Sequence, residues 1–295
     1  MNKKDTGSGI LTSVDMKQGK YKVLYALIFA LIIIYCIITL IPVVWIVLSG
    51  FKDVKELYSI PVRFFPQKID LGKLAKVWSE MKFYSLYGST FAMAFGAVLA
   101  TCAVGGLAGY SLSRLKPTGS KLIFMILFWI MLMPGTMRTV PLYMTFKDFP
   151  VFHVSMLNTF WPMWLMSAAN IFNIILFRNF FDGVSSTIIE AAKIDGATDV
   201  CIFVKIVLPL SLPVFMTVVI FTFNGNVGQF FWPYLLINKK EMTVLGVQMF
   251  NMNKSAYTMD YQMLAILFSI LPQLVVFAVG QKWIIGGVNL GGVKG

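Results

Sequence analysis

Long stretches without a charged residue alternate with short polar segments along the chain. A membrane-spanning helix needs about 20 apolar residues, and a charge at its centre costs about 2.5–3.5 kcal/mol. The pattern therefore predicts an all-α integral membrane protein with six transmembrane helices. The third run is the shortest and ends before Arg138, which we expect near a membrane interface. The predicted spans lie in the runs 23–51, 83–113, 122–137, 149–177, 206–238 and 261–281.

Composition supports a lipid environment and disfavours a nucleic-acid partner. The chain has 295 residues, of which 58% are hydrophobic and 13% charged, whereas a soluble domain is about a quarter charged. The net charge of +12 is dispersed, and Lys and Arg commonly flank membrane helices. The three cysteines form no C-x-x-C pair and His153 is the one histidine, so we expect no metal site.

Small residues in the second run predict close helix packing. Gly96 and Ala100, then Gly105 and Gly109, follow helical spacing, which lets two membrane helices approach each other. No internal repeat is visible, which argues against an inverted-repeat secondary transporter. No long soluble segment is present either, so an energy source or a soluble receptor would have to come from other chains.

The charged segment 187–209 interrupts the apolar pattern between the fourth and fifth runs. Thr187 and Glu190 have the spacing of a capping box that opens a helix, and Ala191 and Ala192 are strong helix formers. Gly196 then allows a sharp turn at little steric cost. We call residues 187–209 the elbow, because the pattern predicts a helix, a glycine turn and a second helix at the membrane surface.

The second helix of the elbow has its own start and face. Thr198 or Asp199 is positioned to cap it, and Pro209 lies where the next membrane helix is expected to begin. The apolar residues with helical spacing on one predicted face are Val200, Phe203, Ile206 and Val207. The simpler interpretation, a loop that only connects two helices, stays open at this point.

Polar residues of the fifth run are candidates for a transport path, because polar groups inside a membrane tend to face cavities or partners. Their amides and aromatic rings suit a neutral sugar, although hydrogen bonds between helices would explain them equally well. The absence of acids inside the runs disfavours a cationic solute. Asn158, Asn170, Asn173 and Gln273 are less clustered in sequence, and we expect them to be structural. The candidate path residues are Asn224, Asn226, Gln229, Trp232 and Tyr234.

The elbow resembles the EAA loop of the membrane subunits of ABC importers. Glu190-Ala-Ala, then Gly196, then Ile206-x-Leu208-Pro209 have the spacing of that motif. The segments "LFRNFFDG", "GYSLSRLK", "FFPQKIDLGKLAKVW" and the C-terminal "QKWIIGGVNLGGVKG" are similar to the sugar-importer branch, and the last to its maltose-type permeases. The chain departs from that branch at 227–229, where "VGQ" replaces the usual Trp-Asn-Asp.

The resemblance implies a permease subunit of an ATP-driven importer that moves a carbohydrate, expected to be an oligosaccharide, across a prokaryotic cell membrane. Its implied partners are a homologous second permease, a cytoplasmic ATPase dimer and an extracytoplasmic solute-binding protein. The chain has no GxxxxGK[ST] phosphate loop, so ATP and magnesium are expected on the ATPase. No cofactor or catalytic residue is expected in this chain.

In the family the EAA segment docks into a groove of the ATPase. By resemblance, Glu190 holds the elbow or contacts the ATPase, Gly196 makes the turn, and Ala191, Ala192 and Ala197 permit close docking. Phe203 and Pro209 complete the implied coupling set. The segment "GGVKG" at 291–295 is expected to make a second contact with the ATPase.

The resemblance places the elbow, and with it both chain ends, on the cytoplasmic side of the membrane. The short basic turn 114–121 also favours the cytoplasm. The expected organisation is a cytoplasmic tail at 1–22, a transmembrane helix at 23–51, an extracytoplasmic loop at 52–82, a transmembrane core at 83–283 and a cytoplasmic tail at 284–295.

Three alternatives remain. The same machinery could carry a polyamine or a peptide-like solute. A membrane-embedded glycosyltransferase-type enzyme or a secondary transporter would need carboxylates at a membrane face or inside a helix, and the acids of 182–199 are already assigned to the elbow.

Overall fold

The computed structural model describes residues 19–150, 152–252 and 257–290, with the backbone alone at 19–20 and 284–290. Within these residues the chain is helical, and its only extended pairing is an isolated bridge between Phe149 and Val154. The predicted all-α fold class is confirmed. The chain divides into two compact units. One comprises the residues up to Lys73 with Thr258–Leu267, and the other comprises Leu74–Tyr257 with the residues from Phe268 onward.

The α-helices in chain order are α1 (Gly19–Gly50), α2 (Val54–Leu57), α3 (Leu71–Glu80), α4 (Phe83–Leu115), α5 (Ser120–Leu132), α6 (Thr139–Lys147), α7 (Trp161–Ala168), α8 (Ile171–Asp182), α9 (Ser186–Ile194), α10 (Asp199–Leu210), α11 (Leu212–Val227), α12 (Phe231–Leu236), α13 (Leu245–Met252) and α14 (Met259–Leu290). Two of these helices, α4 and α10, contain π turns, and α6 is preceded by a 3₁₀ turn. The π turns are Thr101–Gly105 and Ser111–Leu115 in α4 and Phe203–Val207 in α10, and the 3₁₀ turn Gly135–Arg138 precedes α6.

In the described residues, α1, α4 and α14 are each long and apolar enough to cross a membrane. Two further pairs qualify together but are sharply bent: α5 with the 3₁₀ turn and α6 by 101°, and α10 with α11 by 78°. This gives three spans, or up to five if each bent pair crosses as one. The count of six stays a prediction.

The fourth apolar run forms two short helices instead of one span. Asn170 separates α7 from α8 with an extended backbone, and its side-chain Oδ1 accepts a hydrogen bond from the backbone N–H of Asn173 at 3.1 Å. Asparagine is a strong N-cap, so it starts a new helix where the hydrophobic pattern alone predicts continuity. The residues before α7 are irregular, with positive φ at His153 and Asn158.

The expected close packing of α4 is confirmed at Gly96 and Gly109, whereas a Cβ at Gly105 would make only ordinary contacts. A Cβ at Gly96 would overlap the indole of Trp164, whose Nε1 donates to the Met93 carbonyl at 3.1 Å. A Cβ at Gly109 would lie 2.6 Å from the Phe177 Cβ and 3.0 Å from a backbone nitrogen. Only glycine permits these approaches of α4 to α7 and α8.

A buried charge network closes the first unit. Lys73 forms an ion pair with Asp260, and its Nζ donates to the Lys52 carbonyl at 2.8 Å. The Lys52 side chain is also buried, with its Nζ 2.6 Å from the Arg63 carbonyl. Because every cation finds an acceptor, the network fixes the start of α14 against the loop that follows α1, and removal of one partner would leave a buried charge uncompensated.

The helices near the chain ends are longer than the expected membrane segments, because α1 begins at Gly19 and α14 continues to Leu290. The expected division of the chain into tails, loop and core stays a prediction. The rest of the N-terminal tail and the segment 291–295 lie outside the described residues, so the second ATPase contact expected there stays a prediction.

Candidate functional site

The elbow has the predicted helix, turn, helix geometry. Helix α9 ends at Ile194, Gly196 takes φ +80°, and α10 begins at Asp199. The Gly196 N–H donates to the Lys193 carbonyl at 3.1 Å, and the Ala197 N–H donates to the Ala192 carbonyl at 2.9 Å. These two bonds form a Schellman motif, the standard helix end that places glycine in the left-handed region.

Of the two expected helix caps, one is confirmed and one is wrong. The Thr198 hydroxyl accepts from the Cys201 N–H at 3.3 Å and caps α10. Thr187 caps nothing, because α9 starts at Ser186 and the chain is already helical at Thr187. The residue at the cap position, Ser185, has extended backbone and makes no side-chain capping bond, so the Thr187–Glu190 capping box does not form.

The inner face of the elbow packs on an aromatic and aliphatic cluster, which we call the elbow core. The Phe203 ring is 7% exposed and lies 4.9 Å from the Tyr110 ring. Ala192 and Ala197 pack against the same cluster, so both face inward and only Ala191 of the three alanines is exposed. The elbow core consists of Tyr110, Phe177, Phe181, Ile189, Ile202, Phe203, Val207, Val214, Phe215 and Val218.

The predicted apolar face of α10 is wrong at Val200, which is 74% exposed. The buried positions are Ile202, Phe203 and Val207. The π turn Phe203–Val207 pairs residues five apart, so Ile202 and Val207 come to the same side. A period of 3.6 cannot predict that register.

The outer face of the elbow combines charge with exposed apolar surface. Ile194 and Val200, 86% and 74% exposed, flank the turn. Lys193 and Asp199 pair across it at 3.3 Å. Glu190 is exposed and has no hydrogen bond or ion pair with a described residue, so within the described part of the chain it does not hold the elbow. Pro209 is exposed, near the end of α10 and just before its bend into α11.

A polar latch, formed by Ser113, Arg114 and Asp182, joins the end of α4 to the end of α8. The Arg114 guanidinium donates to the backbone carbonyls of Phe181 and Val184. The buried Ser113 hydroxyl donates to Asp182 Oδ1 at 2.6 Å. The latch therefore fixes the residues from which α9 starts. The sequence segments "GYSLSRLK" and "LFRNFFDG" contain these residues, but nothing in either segment identifies the other as its partner.

A cavity of about 1080 Å³ lies within the second unit. Asn226, Gln229 and Trp232 line it, as the sequence predicts for path residues, whereas Asn224 and Tyr234 do not. Tyr234 instead packs against Phe250, with ring centroids 5.2 Å apart. The other polar residues of the lining are Thr136, Arg138, Thr139, Ser167, Asn170, Asn173 and Thr222.

The amides of the cavity differ in how firmly the protein holds them. The Asn226 Nδ2 donates to the Thr222 carbonyl at 2.8 Å and lies 3.3 Å from the Ser167 hydroxyl. The Asn173 Nδ2 donates to the Thr222 hydroxyl at 3.3 Å. Asn170 and Asn173 have the structural roles expected of them, since one caps α8 and the other bonds to Thr222, and both also belong to the lining with Asn226. A linear sequence cannot show that neighbourhood.

Gln229 differs from these held amides. It follows the end of α11, is partly exposed, and its side chain has no hydrogen bond with a described residue. It is therefore available to a solute in the cavity.

Comparison with known proteins gives a consistent result. Residues 102–289 match the family described as binding-protein-dependent transport system inner membrane component. A polygalacturonan/rhamnogalacturonan transport system permease of Bacillus subtilis, YtcP, is 27% identical over 91% of this chain and 97% of its own. A diacetylchitobiose uptake system permease of Streptomyces coelicolor, NgcG, is 28% identical over 89% of this chain and 86% of its own.

A solved structure shares the fold. A chain of a bacterial ABC transporter involved in the import of the acidic polysaccharide alginate superposes with a TM-score of 0.77. The match covers 90% of this chain and 98% of the other at 23% sequence identity.

Proposed function

The chain belongs to the family of binding-protein-dependent transport system inner membrane components, and from this premise we propose that it is a permease subunit of an ATP-driven importer for an oligosaccharide. The proposal places ATP hydrolysis, with its magnesium, on a partner ATPase dimer. It adds a homologous second permease and an extracytoplasmic binding protein that delivers the sugar. Both chain ends would face the cytoplasm, on the same side as the elbow.

The observation that carries the proposal is the two-faced construction of the elbow. Its inner face is immobilised on the elbow core, and its outer face exposes Ile194 and Val200 beside a charged pair. A loop that only connects two helices has no need of exposed apolar side chains on a rigid support. A protein partner that covers them would gain apolar burial, so we assign the outer face to the ATPase.

The elbow core supplies a mechanical connection to the membrane helices. Tyr110 belongs to α4, Phe177 to α8 and Phe215 to α11, and all three pack on the inner face. Packed interiors transmit strain because they are dense and poorly compressible. Movement of the elbow with an ATPase would therefore move the cytoplasmic ends of these helices together and rearrange the cavity between α6, α8 and α11.

The carbohydrate part of the proposal depends on the cavity. Its free amide, hydroxyls and Trp232 match a hydroxyl-rich solute, for which hydrogen bonds and ring contacts supply affinity. The similar permeases named above belong to systems for polygalacturonan, rhamnogalacturonan and diacetylchitobiose, and these names favour an oligosaccharide.

The direct test is gentle extraction of the tagged full chain from its native membrane, followed by identification of the proteins that come with it. We expect an ATPase, a second permease of similar size and a binding protein. Recovery of the chain alone, or only with itself, would refute the importer proposal.

Gln229→Leu is expected to raise the KM for uptake several-fold, because it removes a hydrogen-bonding group that the protein does not itself use. Asn224→Leu is the control outside the lining and should leave KM unchanged. Asn226→Leu should also lower the amount of folded protein, since its amide holds Ser167 and Thr222. Unchanged KM in Gln229→Leu, with normal protein levels, would remove this residue from the path.

A further inference from the structure

The cavity carries a positive charge that no carboxylate of the described residues neutralises. Among the described residues of its lining Arg138 is the one that carries a charge, and the others are amides, hydroxyls, aromatic and aliphatic groups. Among the described residues, no carboxylate lies within ion-pair distance of Arg138. The sequence places Arg138 at the end of an apolar run, where a membrane interface would explain it, and does not associate it with the path.

The backbone explains how Arg138 reaches the cavity. Pro134 and Gly135 interrupt the span, and the chain bends by 101° between α5 and the segment that begins at Gly135. The 3₁₀ turn Gly135–Arg138 begins the segment after the bend, and Thr136 and Thr139 on either side of Arg138 also line the cavity. The bend therefore places a charged residue that follows an apolar run in the wall of the cavity.

We propose that Arg138 binds a carboxylate of the transported solute, and that this permease carries an anionic, uronate-containing oligosaccharide. The inference rests on the proposed transport function and specifies its substrate class. A guanidinium presents donors in a planar fork that matches a carboxylate. Arg138 is exposed, so its guanidinium is accessible to a solute that enters the cavity.

The neighbouring groups complete a subsite for such a sugar. Gln229 offers its free amide to hydroxyl groups, and the Trp232 ring is available to the C–H surface of a pyranose. The expectation of a neutral solute came from the absence of acids in the spans, which disfavours cations but does not disfavour anions. The cavity thus favours a saccharide that combines hydroxyls with negative charge.

The test measures uptake in cells that carry the complete importer, with trigalacturonate and its fully methyl-esterified, neutral form as a matched pair of probes. We expect the wild type to take up trigalacturonate. Arg138→Gln should raise the KM for trigalacturonate about tenfold to a hundredfold, the worth of a charge-assisted hydrogen bond, and change that of the neutral ester less than about twofold. The KM of Arg138→Lys for trigalacturonate should lie between those of the wild type and Arg138→Gln, because lysine keeps the charge but lacks the planar fork of donors.

Lys147→Gln is the matched control. It removes an exposed positive charge from the same segment, outside the cavity, and should change neither KM by more than about twofold. An equal loss for both probes in Arg138→Gln would mean that Arg138 serves the fold or a lipid phosphate, and would overturn the inference. Uptake of the neutral ester alone would overturn it as well.

The outcome separates this inference from the proposed function. If extraction recovers the ATPase and binding protein but neither trisaccharide is taken up, the uronate assignment fails and the importer stands. If extraction recovers no partners, the importer itself fails.

Discussion

Replacement of Gly196 by valine should leave the chain in the membrane but reduce uptake at least about tenfold. Gly196 has φ +80°, and no atom lies within 4 Å of the position that a Cβ would occupy, so the penalty comes from the backbone alone. A β-branched residue in the left-handed region costs about 1–3 kcal/mol. Relief of that strain would open the Schellman turn, lose its two backbone hydrogen bonds and change the angle between α9 and α10.

The asparagine variant separates backbone strain from loss of space. Asn tolerates the left-handed region far better than valine, and the site is open, so Gly196→Asn should retain uptake within about twofold. Membrane insertion is checked by protein level, and ATPase association by the extraction described above. Normal uptake in Gly196→Val would contradict the role of the turn in coupling.

Arg114→Leu should destabilise the protein by about 2–4 kcal/mol and reduce uptake by a similar factor to Gly196→Val. The change removes charged donors from the carbonyls of Phe181 and Val184 and leaves these carbonyls without their partner. The segment that leads into α9 would lose its attachment to α4. Thermal unfolding of the detergent-solubilised protein and protease cleavage within 183–198 measure the two effects separately.

Arg178→Leu is the control for Arg114→Leu. Arg178 lies over the Phe124 ring at 3.9 Å and 3.7 Å from Asp182, with its side chain partly exposed. Such interactions contribute about 1 kcal/mol or less, so the loss of stability should be clearly smaller. Equal destabilisation by the two variants would show that Arg114 contributes no more to stability than Arg178 does. The latch would then have no special role.

The elbow illustrates what local chemistry predicts. A glycine after a short amphipathic helix is enough to predict its turn, whereas a threonine three residues before a helical N–H predicts a cap correctly at Thr198 and wrongly at Thr187. Both depend on neighbours within a few residues. The inner face of α10 is predicted correctly at Phe203 and Val207, but the π turn shifts the register so that Ile202 is buried in place of Val200. The partners that bury Phe203 lie on α4 and α8 and could not be predicted.

The cavity shows the opposite case. Asn226 and Gln229 are adjacent in sequence to other polar residues and were identifiable as a cluster, whereas Asn170, Asn173 and Arg138 join them only through the folding of three separate segments. Arg138 also depends on a bend that Pro134 and Gly135 permit but do not dictate. Long-range assembly therefore determines the charge of the candidate site, which the sequence pattern leaves open.

The latch has a consequence for how this protein can change over evolutionary time. Arg114 bonds to main-chain oxygens, which every amino acid provides, so Phe181 and Val184 can be exchanged for other residues without loss of the acceptors. No compensating substitution is then required, and statistical covariation between Arg114 and these positions is expected to be weak. The Ser113–Asp182 bond joins two side chains and should show the reverse, with coupled replacement of the pair among divergent sequences.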